Sequence, residues 1–204
     1  MNPIRLEIAV LSIVSSAAFS AVPALAGDAG AVKFGNCTWC HGESGQGYAT
    51  APRLAGQRPQ YIENQLLSFL NHTRDGPFSE QYMRGAAAAL SPQTARSFAT
   101  YFSTLPPKPA NDGDKELVVT GRTIYKQGIP DSNIVACAPC HGPNAEGVRE
   151  IPRLGGLSYF SLKMRLEQWG RGYDAAAEPP MPRVAGKLSP NEIEALASYL
   201  SFVK

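Results

Sequence analysis

The chain has 204 residues, 44% of them hydrophobic and 18% charged, with a formal charge of +2. That balance suits one or two globular domains and excludes a disordered or collagen-like chain. Its basic residues are scattered, so it lacks the clustered positive patch of a nucleic-acid binder, and no nucleic-acid partner is expected.

The N-terminus reads as a secretory leader: Arg5, an apolar run from Ile8 to Val22, then the small-residue ending Ala24-Leu25-Ala26. Cleavage is expected after Ala26, leaving Gly27 first; Glu7 is the one residue out of character. The apolar run is shorter than the ~20 residues that cross a bilayer, and no later stretch exceeds it, so no integral membrane segment is expected after cleavage.

From Cys37 onward the sequence repeats itself, which governs the fold reading. Cys37-Thr38-Trp39-Cys40-His41-Gly42 returns as Cys137-Ala138-Pro139-Cys140-His141-Gly142, and Pro52-Arg53-Leu54-Ala55-Gly56 returns as Pro152-Arg153-Leu154-Gly155-Gly156. Further along, Met83 matches Met181, Leu90-Ser91-Pro92 matches Leu188-Ser189-Pro190, and Tyr101 matches Tyr199. In the first copy Ile62, Leu66 and Phe69 share one helical face, and in the second Leu162, Leu166 and Trp169 do. The last helix of each copy opens on Ser91-Pro92 or Ser189-Pro190, an N-cap with proline at the first helical position, and Ser189 with Glu192 forms a capping box. Behind these starts run the apolar stripes Ala95, Phe98, Ala99, Phe102 and Ile193, Leu196, Ala197, Leu200. Between the copies, the prolines of Leu105 to Asp114 predict an extended linker. No segment alternates as a strand would. Each copy is thus a small, mainly helical module of roughly 80 to 90 residues, whose apolar side chains alone make a thin core.

All four cysteines lie in the two Cys-x-x-Cys-His motifs. Two thiols three positions apart reach the vinyl groups along one edge of a haem, and the adjoining His41 or His141 falls beneath the iron as proximal ligand. A structural zinc site would gather its cysteine pairs in one small domain, whereas these are a module apart. A thioredoxin-type disulfide would want a βαβ setting, and plain disulfides leave the histidines unexplained. Two covalently attached haem c groups are therefore expected, on Cys37 and Cys40 and on Cys137 and Cys140.

For the distal position the candidates are Met83, Met164, Met181 and His72. A Met sulfur gives the His/Met pair that raises a haem's potential. Met83 and Met181 occupy matching places in the repeat, and Met181 falls in the proline-rich stretch Glu178 to Pro182. Met164 has Asn64 as its counterpart and sits in a helical pattern, which suits core packing. His72 has no partner in the second copy and reads as a solvated loop residue. Pro52 and Pro152 are candidates to orient the histidines through a backbone carbonyl. Arg53 and Arg153 are candidate contacts for the haem propionates.

On these motifs the sequence resembles the dihaem cytochrome c4 family, over essentially all of 27–204. The resemblance implies an all-α fold: a leader over 1–26, a class I cytochrome c domain over 27–104, a linker over 105–114 and a second such domain over 115–204, the two packed face to face. It implies a periplasmic electron-transfer protein rather than an enzyme, working between respiratory or dehydrogenase partners and a terminal acceptor such as an oxidase. It assigns His41 and Met83 to one iron and His141 and Met181 to the other. The architecture also resembles the cytochrome subunit of sulfide-oxidising flavocytochromes, which would make the chain a dedicated subunit of a dehydrogenase. The sequence departs from an even repeat before its haem motifs. Gly30 to Phe34 stand in for Gly121 to Tyr125, and 127–136 is an insertion in the second copy, a candidate docking loop.

Overall fold

The computed structural model describes residues 35–48, 50–176 and 180–204. The expected leader, the Gly30 to Phe34 segment, and Glu178 and Pro179 of the proline-rich stretch lie outside the described residues. Among the described residues the only extended pairings are isolated bridges such as Tyr48 with Ala51 and Val148 with Ile151.

The first module comprises α1 (Gly35–His41), α2 (Pro59–Leu70), a π-helical turn (Ser79–Met83), α3 (Arg84–Ala88) and α4 (Pro92–Thr104). The second has a 3₁₀ turn (Lys115–Leu117), then α5 (Val118–Gln127), α6 (Ala138–His141), α7 (Tyr159–Gly170), α8 (Met181–Ala185) and α9 (Pro190–Phe202). The helix starts follow their sequence signals. Ser91 accepts from the Thr94 amide, and Ser189 and Glu192 close the reciprocal capping box.

The expected apolar faces point inward. Ile62, Phe98, Ala99 and Phe102 form the first core, with Leu54, Leu66 and Leu90 packed on it. Ile124, Tyr125, Leu162, Leu196 and Leu200 lead the second. Burying each large side chain contributes about 1.5–3 kcal/mol. In the second module α5 and α9 cross in direct contact because Gly121 has no side chain: a Cβ there would collide with the Ala195 carbonyl oxygen. The inserted loop closes on itself, with Ile129 and Ile134 paired and Ile134 buried.

The proline-rich linker has no regular structure from Leu105 to Asn111, as its composition predicts, but it is tied to both modules. Gln46 donates to the Pro106 carbonyl at 2.8 Å and accepts the Lys108 amide at 3.0 Å. On the other side Ala110 donates to Gly156 and Asn111 to Ser201, each at 3.1 Å. Asp112 accepts the Tyr159 amide at 2.8 Å. The linker is therefore a packed strap between the modules, fixed at both edges.

Gly121→Ala should displace α5 from α9 and destabilise the second module by about 1–3 kcal/mol. Thermal unfolding followed by circular dichroism checks this; an unchanged midpoint would mean the crossing relaxes without cost.

Candidate haem centres

The first motif sits on α1, where Cys37, Cys40 and His41 stand at i, i+3 and i+4 and so share one side of the helix. Cys37 packs against the first core while Cys40 is exposed, and Cys137 and Cys140 divide in the same way in the second module. No disulfide joins any of the four. Burial, with a smaller contribution from Cys40, pushes the Cys37 thiol up; burial and Cys140 push Cys137 up to about 11. Both remain neutral thiols at neutral pH.

Both histidines are buried, His41 at 6% and His141 at 4% exposure. The chain then turns back over each of them along the same path. Gly47 and Gly147 donate to the carbonyls of His41 and His141, both at 2.8 Å. Leu54 and Ala55 donate to the Gly45 carbonyl as Leu154 and Gly155 donate to that of Ala145, at 2.8 and 2.9 Å in each module. Gly47 and Gly147 have φ of 71° and 73°, and a Cβ on either would strike the returning strand, so both positions demand glycine. The reversal sets the Pro52 carbonyl 2.7 Å from His41 Nδ1 and the Pro152 carbonyl 3.0 Å from His141 Nδ1.

A carbonyl can only accept, so Nδ1 carries the proton and Nε2 is left with its lone pair. Burial lowers the His41 pKa, with the Pro52 bond opposing it, so the ring is neutral at pH 7, the state a metal ligand needs.

The distal candidates occupy different local structures. Met83 ends the π-helical turn, and Met181 is the first residue of α8 rather than part of an irregular loop. Both are half-buried and both precede the last helix of their module. Met164 lies within α7, and His72 is exposed just past the end of α2 with φ of 58°.

The arginines behave differently from one another. Arg53, 5% exposed, donates Nη1 to the carbonyls of Lys108 at 2.7 Å and Gly156 at 2.6 Å, and Nη2 to that of Gly155 at 2.6 Å. Its two terminal nitrogens thus serve the linker and the second module, a use the sequence did not suggest, and only the buried Nε lacks a partner in the protein. Arg153 turns back to its own module, Nε donating to Gly155 at 3.1 Å. Burial, and then the charge of Arg153, lowers the Arg53 pKa to about 10. Beside Arg53, Gln57 brackets the Arg153 backbone, donating to its carbonyl at 2.9 Å and accepting its amide at 2.7 Å. Gln57 was not singled out by the repeat because its counterpart is Leu157.

Among the described residues no group of three or more His, Cys, Asp or Glu side chains converges to hold a metal ion. A haem fits what is there. Each module offers two thiols and an imidazole on one side of a helix, with the imidazole held by its far nitrogen. The buried Arg53 Nε, one residue past the carbonyl that holds His41, has no partner in the protein and suits the carboxylate of a propionate group.

The family model for cytochrome c matches residues 27–106 and again 118–204. A cytochrome c4 of Thiocapsa roseopersicina is 34% identical over 172 residues, covering 81% of this chain and 86% of that protein. The structure of Acidithiobacillus ferrooxidans cytochrome c4 superposes with a TM-score of 0.76 at 32% identity, covering 82% of this chain and 98% of that one. This chain belongs to the dihaem cytochrome c4 family. A relative named thiosulfate dehydrogenase electron acceptor, from Thiomonas intermedia, is 34% identical over 206 residues, 98% of this chain and 91% of its own length.

The cytochrome consists of two cytochrome c domains, carries two covalently bound haem c groups and transfers electrons. Replacing Cys37 and Cys40 together with Ala should leave one haem mass on the polypeptide in denaturing mass spectrometry, against two on the wild type. Two haem masses on the variant would show that the motif is not an attachment point.

Proposed function

We propose that this cytochrome is exported, its leader ending at Ala26, and that it carries electrons in the periplasm from a dehydrogenase or respiratory donor to a terminal acceptor such as an oxidase. Its domains extend over 27–104 and 115–204, with 105–114 as the strap between them. His41 and Met83 ligate one iron and His141 and Met181 the other, while Arg53 Nε and Arg153 face propionates. The export reading rests on the leader-like N-terminus. Among the described residues no helix is long and apolar enough to cross a membrane.

The observation that carries this reading is the contact between the two histidine-orienting loops. Arg53 follows Pro52, whose carbonyl holds His41, and its guanidinium reaches Gly155 and Gly156, just beyond Pro152. Gln57 grips Arg153 in the same seam. The segments that fix the two proximal ligands are thereby docked on each other, which supports electron exchange between haems inside one molecule. When bound, each haem supplies a single-electron couple. The chain's own residues hold the imidazole nitrogen and fix the separation between the two loops that carry it.

Two measurements test the reading. After rapid reduction of one haem, electrons should redistribute at a rate independent of protein concentration; a rate that rises in proportion to concentration would mean exchange only between molecules. Met83→Ala or Met181→Ala should each lower one haem's potential and open that iron to exogenous ligands, whereas Met164→Leu should do neither. Loss of the Met-to-iron charge-transfer band in Met164→Leu would reassign the sulfur.

A second reading is favoured by the Thiomonas intermedia relative, whose match spans almost the whole chain. On that reading the cytochrome is a dedicated partner of a periplasmic dehydrogenase acting on an inorganic sulfur compound, thiosulfate for that relative's enzyme or sulfide for a flavocytochrome. Size-exclusion chromatography of the native protein from its host separates the two. Co-elution with a dehydrogenase supports the dedicated partner, and elution as a single small species supports the free carrier.

A further inference from the structure

We infer that Asp174, in the second module, positions the turn of the first module that presents Met83. This rests on the reading of Met83 as a distal ligand.

Asp174 is fully buried at 0% exposure and holds φ of 55°, in the left-handed region that aspartate enters more readily than most residues. Its Oδ1 accepts the amides of Asp75 at 2.6 Å and Gly76 at 3.0 Å, both in the first module. Its own amide donates back to Asp75 Oδ1 at 2.6 Å. Oδ2 takes Arg165 Nη1. Burial by itself would raise the Asp174 carboxyl, but Arg165, Arg74 and the Gly76 amide outweigh it and hold the group below the usual carboxylate range. The two cations come one from each module. Each lies over an aromatic ring of its own module, Arg74 at 4.7 Å from the Phe69 centroid and Arg165 at 4.5 Å from that of Trp169.

The hydrogen bonds continue from this carboxylate to the ligand turn. Gly76, its amide held by Asp174, accepts the Glu80 amide on its carbonyl at 3.0 Å. Glu80 is the second residue of the π-helical turn, which the Arg84 amide closes on the Ser79 carbonyl and which ends at Met83. Single π turns are rare, and this one is joined by a backbone bond to the segment that precedes it. Here the fixed end is Gly76, held from one side by Asp174 and faced on another by Gln168, whose Oε1 would lie 3.2 Å from an added Cβ. Both of those side chains belong to the second module. The first module thus shapes its distal turn against its neighbour, and a change at Asp174 should be felt at the first haem.

The test uses the full dihaem protein, with amide hydrogen exchange and the spectrum and potential of each haem as readouts; the first haem is the one altered by Met83→Ala. Asp174→Ala should raise exchange by about tenfold or more at Asp75 and Gly76 and onward through Glu80 to Met83. It should also weaken the Met-to-iron band and lower the potential of the first haem while leaving the second unchanged. Asp174→Asn, which keeps the Oδ1 acceptor, should restore most of both signals. Gly76→Val drives a side chain into Gln168 without altering the carboxylate, so it should disturb the same haem should Asp174→Ala fail to fold. Exchange that rises at Asp75 and Gly76 but stops before Glu80, or a normal first haem in both the Ala and the Val variants, would overturn the inference and leave Asp174 a docking residue alone. If Met83→Ala itself alters neither haem, it is the ligand reading that falls, and the exchange pattern through Glu80 decides the role of Asp174 by itself.

Discussion

Each imidazole is tied through Nδ1 to a proline carbonyl eleven residues further on, and much of each module serves to keep that bond in register. The bond fixes the tautomer and the plane of the ring, so Nε2 faces one direction with its lone pair. It can form only if the chain reverses tightly after the motif. That is why glycines with positive φ recur there, and why the carbonyls of Gly45 and Ala145 each accept two amides from the returning strand. The reversal is in turn pinned to the last helix, Gly56 donating to Phe102 and Gly156 to Leu200. A ligand geometry specified within a few residues thus depends on a helix more than forty positions away in the chain, through a short series of backbone bonds.

The contact between modules is held by buried polar groups. Taking Arg53 and Asp174 out of water is costly, and pairing such groups seldom adds net stability compared with a well-packed apolar surface. What they supply is register. An apolar face tolerates sliding, whereas Arg53 must meet three particular carbonyls, and Asp174 two adjacent amides and a guanidinium, or lose its partners. Electron exchange between two centres depends on their separation, so a contact that is stiff in one arrangement suits it better than one that is merely strong.

The repeat made the helices and the loops that orient the two histidines legible. Ser91 and Ser189 marked their helix starts, the stripes ending at Phe102 and Leu200 are buried, and the carbonyls of Pro52 and Pro152 lie against the two histidine rings as expected. These features are local, or follow a short period, and the second copy provides an internal check on each. The joining of the modules was not legible in the same way. Gln57 faces Leu157 in the alignment of the copies, and Asp75 and Asp174 are one place out of step with the motifs. Comparing copies finds what both modules need, and is blind to residues that one module uses to hold the other. The linker shows a related limit: its prolines predicted an extended path, but composition carries no information about which amides and carbonyls lie along that path.

The divergence between the copies has its own logic. At the first seam the first module contributes side chains, Arg53 and Gln57, and the second contributes backbone atoms. At the other seam the second module contributes the Asp174 side chain to the Asp75 and Gly76 amides, with Asp75 returning one bond. Arg153, matched to Arg53 in sequence, folds back onto its own Gly155 instead of reaching across. If each module were equivalent, the contact would be isologous and each patch would meet its own copy, as in a symmetric dimer. Because donors and acceptors are divided unequally, each module is complementary to the other and not to itself. Two identical modules facing one another could satisfy one seam only by leaving buried partners unmade in the other, so covalent linkage and polar complementarity select the same pairing.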